Sequence, residues 1–321
     1  MAIVANTFTR YSAIGIREDL ANVIYNISPE ETPFQSNIAR VNVKNTFFEW
    51  QTDSLAAANA SNAALEGDDI TSFDAVTPTS RLGNYTQISR KTVVISDTLE
   101  SVDKAGRRSE LAYQLAKQGA ELKRDMEAVM LANNAATAGN TTTARVTAGL
   151  PAFLRTNTSK GTGGADPTVT SGVVSAARTD GTQRAFTEAM LKAVVSGVWT
   201  QGGSPKILMT GPFNKQVVSS FAGIAQVRWN QASPKPATII GAADVYVSDF
   251  GAISIVPNRF QRERDAFVVD PEYAAVAILR PIEQKQLAKT GDAEKRMLLC
   301  EYGLQVRAEA AHGIVADLTT S

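Results

Sequence analysis

One histidine, His312, and one cysteine, Cys300, carry all the imidazole and thiol chemistry of this 321-residue chain. A lone thiol excludes an internal disulfide and a cysteine-cluster zinc site. A lone imidazole excludes the two- and three-histidine metal sites of common hydrolases, and any His-dependent triad would rest on His312 alone. Acid–base chemistry would fall to carboxylates, lysine or tyrosine. The candidates for it are few, and each has a plainer reading. Glu66, Asp68 and Asp69 could attract a divalent ion, but the alternating ligands and distal Glu of a calcium loop are missing, so a solvated acidic turn is expected. Gly161-Thr162-Gly163-Gly164 has no Gly-Lys-Ser/Thr ending and no strand directly before it, and reads as a flexible loop rather than a phosphate cradle. Glu30 and Glu31 fit a helix first turn. Arg259, Arg262 and Arg264, interrupted by Glu263 and Asp265, read as an ion-pair surface. Cys300 sits in an apolar strand pattern, His312 has no triad context, and no Gly-x-Ser-x-Gly elbow occurs. No catalytic, cofactor or metal constellation is expected.

Bulk composition narrows the class further. Lys+Arg and Asp+Glu are both 32, so the formal charge is zero, which argues against strong sequence-independent DNA binding. Apolar residues make up 44% and charged residues 20%, ordinary globular values. No apolar run approaches the ~18 residues of a membrane span. The first ten residues lack a basic stretch followed by an apolar core, so no signal peptide is expected, and the compartment is read as reducing. A compact monomer of 34.2 kDa would expose roughly 12,900 Å².

The elements that must position these residues follow from periodicity. Ile16, Leu20, Val23, Ile24 and Ile27 mark one face of a helix over 12–27. Ser28-Pro29-Glu30-Glu31 reads as a fresh helix start that Pro33 limits to about one turn. Residues 41–52 favour a strand with Phe48 and Trp50 on one face. Residues 53–80 are small and polar, and 85–95 return to strand character. The two strands therefore bracket about 30 residues that cannot build a core, in the manner of a functional loop or a long outward hairpin. Residues 109–134 form the strongest helix, with an apolar stripe through Leu111, Leu115, Leu122, Met126, Val129 and Met130 and a Ser109 cap. Lys117, Glu121, Lys123, Arg124, Asp125 and Glu127 decorate the rest of it. Residues 135–182 read as loop with a docked apolar segment at 150–154. A helix over 187–200, capped by Thr187 and stapled by Phe186 and Leu191, precedes a buried strand at 206–210 and a helix from Pro212 to about Phe221. Strands follow at 244–248, 253–257 and 266–269. The chain closes on a hairpin of 274–280 and 297–308, joined through polar 283–296.

The order of elements resembles the major capsid proteins of tailed bacteriophages, an α+β class with the Hong Kong 97-type fold. The segment 14–38, ending in Ser28-Pro29-Glu30-Glu31-Thr32-Pro33-Phe34, is similar to the arm of one phage head-protein subfamily, and Phe47-Phe48-Glu49-Trp50 to the entry of its extended loop. The resemblance implies an N-arm at 1–44, an E-loop hairpin at 45–92, a peripheral domain at 93–150 and 272–312 with its spine helix at 109–134, and an axial α/β domain at 151–271 and 313–321. It implies a structural protein without enzymatic activity, assembled in the host bacterial cytoplasm into pentamers and hexamers of a closed icosahedral or prolate virion shell. Packaged double-stranded DNA would be held by weak non-specific contact. A portal, a separate scaffold and decoration proteins are further candidate partners; no membrane is implied.

Members of this fold can be sealed by an isopeptide bond between an E-loop Lys and an Asn of a neighbour. This chain has no Lys between Asn45 and Arg90 and no Asn in 283–296, so no such crosslink is expected. From Thr46 to Arg90 six acids oppose two bases, a net of −4. Phe48, Trp50, Glu66, Asp68, Asp69 and Asp74 are the expected contacts on that side, with Lys104, Arg107 and Arg108 as the basic partner on a neighbour. Another phage structural protein (tail tube or baseplate) is the alternative, and a carboxylate-only hydrolase such as a glycoside hydrolase a more distant one.

Overall fold

The computed structural model describes residues 31–63, 66, 67, 69, 73, 75–221 and 244–321. The expected helix over 12–27 lies outside these residues. In chain order the first elements are α1 (Pro33–Asn37), β1 (Ala39–Asn42), β2 (Phe47–Thr52), β3 (Ser80–Tyr85), β4 (Gln87–Ser96), α2 (Asp97–Ser101) and α3 (Glu110–Met130). Short strands β5 (Thr158–Ser159), β6 (Thr168–Thr170) and β7 (Val173–Ala176) follow, then α4 (Glu188–Thr200), β8 (Ile207–Thr210) and α5 (Pro212–Ser219). The chain ends with β9 (Val245–Ser248), β10 (Gly251–Pro257), β11 (Ala266–Val269), β12 (Ala274–Gln286), β13 (Ala293–Val306) and β14 (Gly313–Val315).

Three sheets result, ordered β1-β12-β13-β4, β5-β14-β11-β8-β10-β9 and β2-β3-β7-β6. The six-stranded sheet is a septum between two cores. Ile207, Met209, Phe267 and Val269 point into one core, whereas Leu208, Ala266 and Val268 point into the other, with the period of two that a strand imposes. Burial on both faces is why 207–210 reads as an unbroken apolar run. Helix α4 covers one face through Leu191, Val194, Val195 and Val198. Helix α3 covers the long-stranded sheet, with Leu122 and Met126 packed among Leu298, Cys300 and Tyr302.

Several expectations need correction. Helix α3 has 21 residues and spans about 32 Å; it stops four residues early because Asn133 turns away to bond the main chain of Arg178. Ser109 does cap its start, accepting from the Ala112 amide at 3.2 Å. Pro33 opens α1, since its missing N–H costs nothing at the first helical position; the helix start expected at 28–30 lies outside the described residues. The strand over 41–52 is broken into β1 and β2. The polar stretch 283–296 is mostly strand: β12 and β13 continue almost to the turn, held by main-chain pairing with each other and with β4. The glycine turn at 161–164 is pinned. The Asp317 carboxylate accepts from the Gly161 and Gly181 amides at 2.9 and 2.8 Å, and a Cβ on Gly161 would sit 2.1 Å from the Thr182 carbonyl oxygen.

One buried carboxylate ties three parts together. Glu127 of α3 accepts from the Phe34 and Gln35 amides at the start of α1 (2.7 and 3.0 Å) and from Asn258 Nδ2 after β10 (2.8 Å). Burial pushes its carboxyl upward against the pull of these donors. Replacing it with Ala leaves three buried donors without a partner, so Glu127→Ala should cost about 3 kcal/mol in denaturant unfolding. A loss below about 1 kcal/mol would mean water replaces the carboxylate there.

Candidate inter-subunit interface

The base of the hairpin is built into the body. β2 and β3 pair antiparallel from Phe47↔Tyr85 to Thr52↔Ser80. Phe48 rests on Gly303 of β13, where a Cβ would come within 2.7 Å of its ring, and it stacks on Trp50 with centroids 5.9 Å apart. Trp50 in turn meets Phe153 at 6.2 Å. Both aromatics chosen from the sequence therefore pack within their own chain, Phe48 fully and Trp50 in part. Glu49 and Arg81 pair across the two strands on the outer face.

Beyond Thr52 the described residues as far as Thr79 are exposed and outside any helix or strand, apart from the half-covered Thr52 itself. Leu55, Phe73 and Val76 are 99%, 89% and 91% exposed, values that a monomer has no reason to tolerate in one segment. Glu66 and Asp69 are exposed beside them without an ion pair; Asp68 and Asp74 lie outside the described residues. The whole chain exposes 19,945 Å², far above the roughly 12,900 Å² of a compact monomer of this mass.

The proposed basic partner divides differently. Lys104 donates to the Glu100 carbonyl and faces its carboxylate at 3.7 Å, with its side chain only 6% exposed. Arg107 pairs with Glu110 at the start of α3 and lies over the Tyr113 ring. Both are committed inside the chain, and Arg108 alone of the three is exposed without an ion pair. The acids concerned stand four residues before Lys104 and three after Arg107, a local spacing that is legible in the sequence.

A model of the SU10 major capsid protein family matches residues 3–319. The chain belongs to that family. A curated major capsid protein of Escherichia phage Phieco32 is 30% identical over 347 residues, covering 96% of each chain. Among solved structures, the capsid asymmetric unit of cyanophage A-1(L) is similar with a TM-score of 0.66 at 15% identity, over 95% of this chain and 98% of that one. A chain from Gordonia phage Cozz gives 0.63 at 11%, over 99% and 98%. The fold is thus the Hong Kong 97 type, and the protein is a phage major capsid protein, a structural component of the virion.

In this capsid protein the two residues that opened the chemical inventory are structural. Cys300 is buried on β13 with its sulfur 3.7 Å from Met126 Sδ, and burial pushes the thiol up to about 11. His312 is fully buried: its Nδ1 accepts from the Asp270 amide at 3.2 Å and its Nε2 faces the Tyr273 carbonyl at 3.4 Å. Of the three arginines read as an ion-pair surface, Arg262 and Arg264 pair with Asp180, and Arg264 also with Asp317, whereas Arg259 is exposed and makes no ion pair among the described residues. Among the described residues no group of three His, Cys, Asp or Glu side chains is placed to hold a metal, and no helix is long and apolar enough to cross a membrane.

Proposed function

We propose that this capsid protein closes into an icosahedral or prolate head of pentamers and hexamers around packaged double-stranded DNA, and that its hairpin is ordered by lying on an adjacent subunit. The observation that carries the reading is the row of bare apolar side chains on the hairpin, which no described residue covers. Glu66, Asp68, Asp69 and Asp74 supply its charge, and Arg108 is the remaining member of the original basic set to receive it. The role is mechanical, with no catalytic step. In this reading the chain divides into N-arm (1–44), E-loop (45–92), peripheral domain (93–150 and 272–312) and axial domain (151–271 and 313–321), with β1 of the arm paired to β12 and β3 of the E-loop paired to β7 across those bounds. Portal, scaffold and decoration proteins are the partners such a head calls for, and assembly in the host cytoplasm suits a chain with one cysteine.

Electron microscopy of the purified chain tests this reading: closed particles support it, while tubes or dispersed monomers refute it. The shell is held without covalent links, because neither a Lys in 46–89 nor an Asn in 283–296 exists to form an isopeptide bond. Denaturing electrophoresis of mature particles should give one monomer band; a ladder would overturn that part.

A further inference from the structure

The zero net charge conceals a segregation of sign. The hairpin region is acidic, and among the described residues six cations without an ion pair lie on α3 or on segments that adjoin it: Arg40, Lys44, Lys117, Lys123, Arg124 and Arg259. Lys117 and Arg124 stand seven residues apart, two helical turns or about 10 Å, on the same side of α3. Lys123 and Arg40 line a common groove between α3 and the long-stranded sheet, where Gln35 Nε2 bonds the Lys123 carbonyl at 2.8 Å. Lys44 follows Arg40 just past the edge strand β1. Arg124 lies 5.8 Å from the centre of the ring of Phe260, the residue that follows Arg259 in the chain. Arg124 is half-buried and the other five are exposed.

Of the acids nearby, only Glu31, one residue before the groove-lining Thr32, is exposed without an ion pair. Glu121 and Asp125 face Lys91 at 3.9 and 2.8 Å, and Glu127 is occupied by the amides of α1 and by Asn258. Six cations against one free acid leave this region in positive excess within the described residues.

We propose that this face of α3, together with β1 and Arg259, is a polyanion-binding surface whose ligand is the phosphate backbone of the duplex inside the shell. The proposal rests on the shell reading. Point charges spread along a straight helix and a strand edge suit sequence-independent backbone contact, which needs neither a pocket nor base-reading side chains. The competing occupant is the acidic hairpin of another copy. That hairpin also carries the exposed apolar side chains of Leu55, Phe73 and Val76, which a row of cations does not cover.

The test is binding of an about 30-bp duplex to the unassembled full-length chain between 50 and 200 mM salt. Six phosphate contacts predict a slope of about −5 in log affinity against log salt, a loss of roughly 10³-fold over that range. The triple variant Arg40→Gln, Lys117→Gln, Lys123→Gln should lower the slope by about 2.7 and the loss to roughly 40-fold, while particles still form. An unchanged slope in the variant overturns the proposal. So does loss of particles with duplex binding intact, which would mark the face as the seat of the hairpin. The slope is read on unassembled chain and particles are scored by microscopy, so a failure of the shell reading is seen separately.

Discussion

Replacing residues 53–79 with Asn-Gly should leave a folded chain that no longer forms particles. Thr52 and Ser80 are directly opposed at the end of the β2–β3 ladder, so a two-residue turn closes the hairpin without moving either strand. Phe48 and Trp50, which anchor that ladder to the body, are untouched. The described residues among those removed are all exposed, and a shorter loop costs less closure entropy, so the stability of the monomer should hold or rise slightly. Assembly should be lost, because the bare side chains of Leu55, Phe73 and Val76 are what the hairpin brings to a neighbour. Sedimentation and microscopy read the outcome. Particles of normal size from this variant would show that the hairpin decorates the shell without holding it.

Acidification should destabilise the folded chain by about 3 kcal/mol through His312 alone, from its shift of pKa from 6.5 to about 4. Burial is the main cause of the downward shift, opposed by the Tyr273 carbonyl and the Asp270 charge. The hydrogen bonds agree with a neutral ring, since a proton on Nδ1 would face the Asp270 N–H that now donates to it. The unfolded chain takes up a proton near pH 6.5, whereas the folded chain resists until about pH 4. The contribution is therefore complete above pH 6.5 and is lost as the pH falls toward 4. His312→Asn keeps an acceptor for the Asp270 amide and should be less stable at pH 7, yet the gap between the two proteins should shrink or reverse at pH 4.5. A gap that stays constant across this range would remove His312 as the cause.

Much of this arrangement is legible in the sequence where one physical demand dominates. The apolar stripe and the Ser109 cap locate α3, and a doubly buried strand can hardly read as anything but 207–210. The misreadings arise where two demands share a residue. Pro33 is as good an opener of a helix as a terminator, and only the position of Glu127, 94 residues away, decides. The polar residues of 283–296 look like a loop because their strands are held by main-chain pairing to β4, not by an apolar face. Strands β6 and β7 are short and rich in Thr and Ser, and β7 gains its place by pairing with β3, far off in sequence. Lys104 and Arg107 are chosen as free charges although their acids lie within one helical turn. The basic face of α3 escapes a charge count altogether, because β1 and the segment after β10 complete it.

The scarcity of His and Cys also makes the shell protein its own reporter. With one thiol buried on β13, the rate of labelling by a thiol reagent at neutral pH times the opening of the long-stranded sheet against α3. With one imidazole between the ends of β11 and β12, the pair of ring C–H resonances follows the junction of the two sheets without ambiguity between histidines. Both signals belong to the unmodified chain, so loosening can be timed in monomer, capsomer and filled head alike, with no engineered label to perturb the lattice.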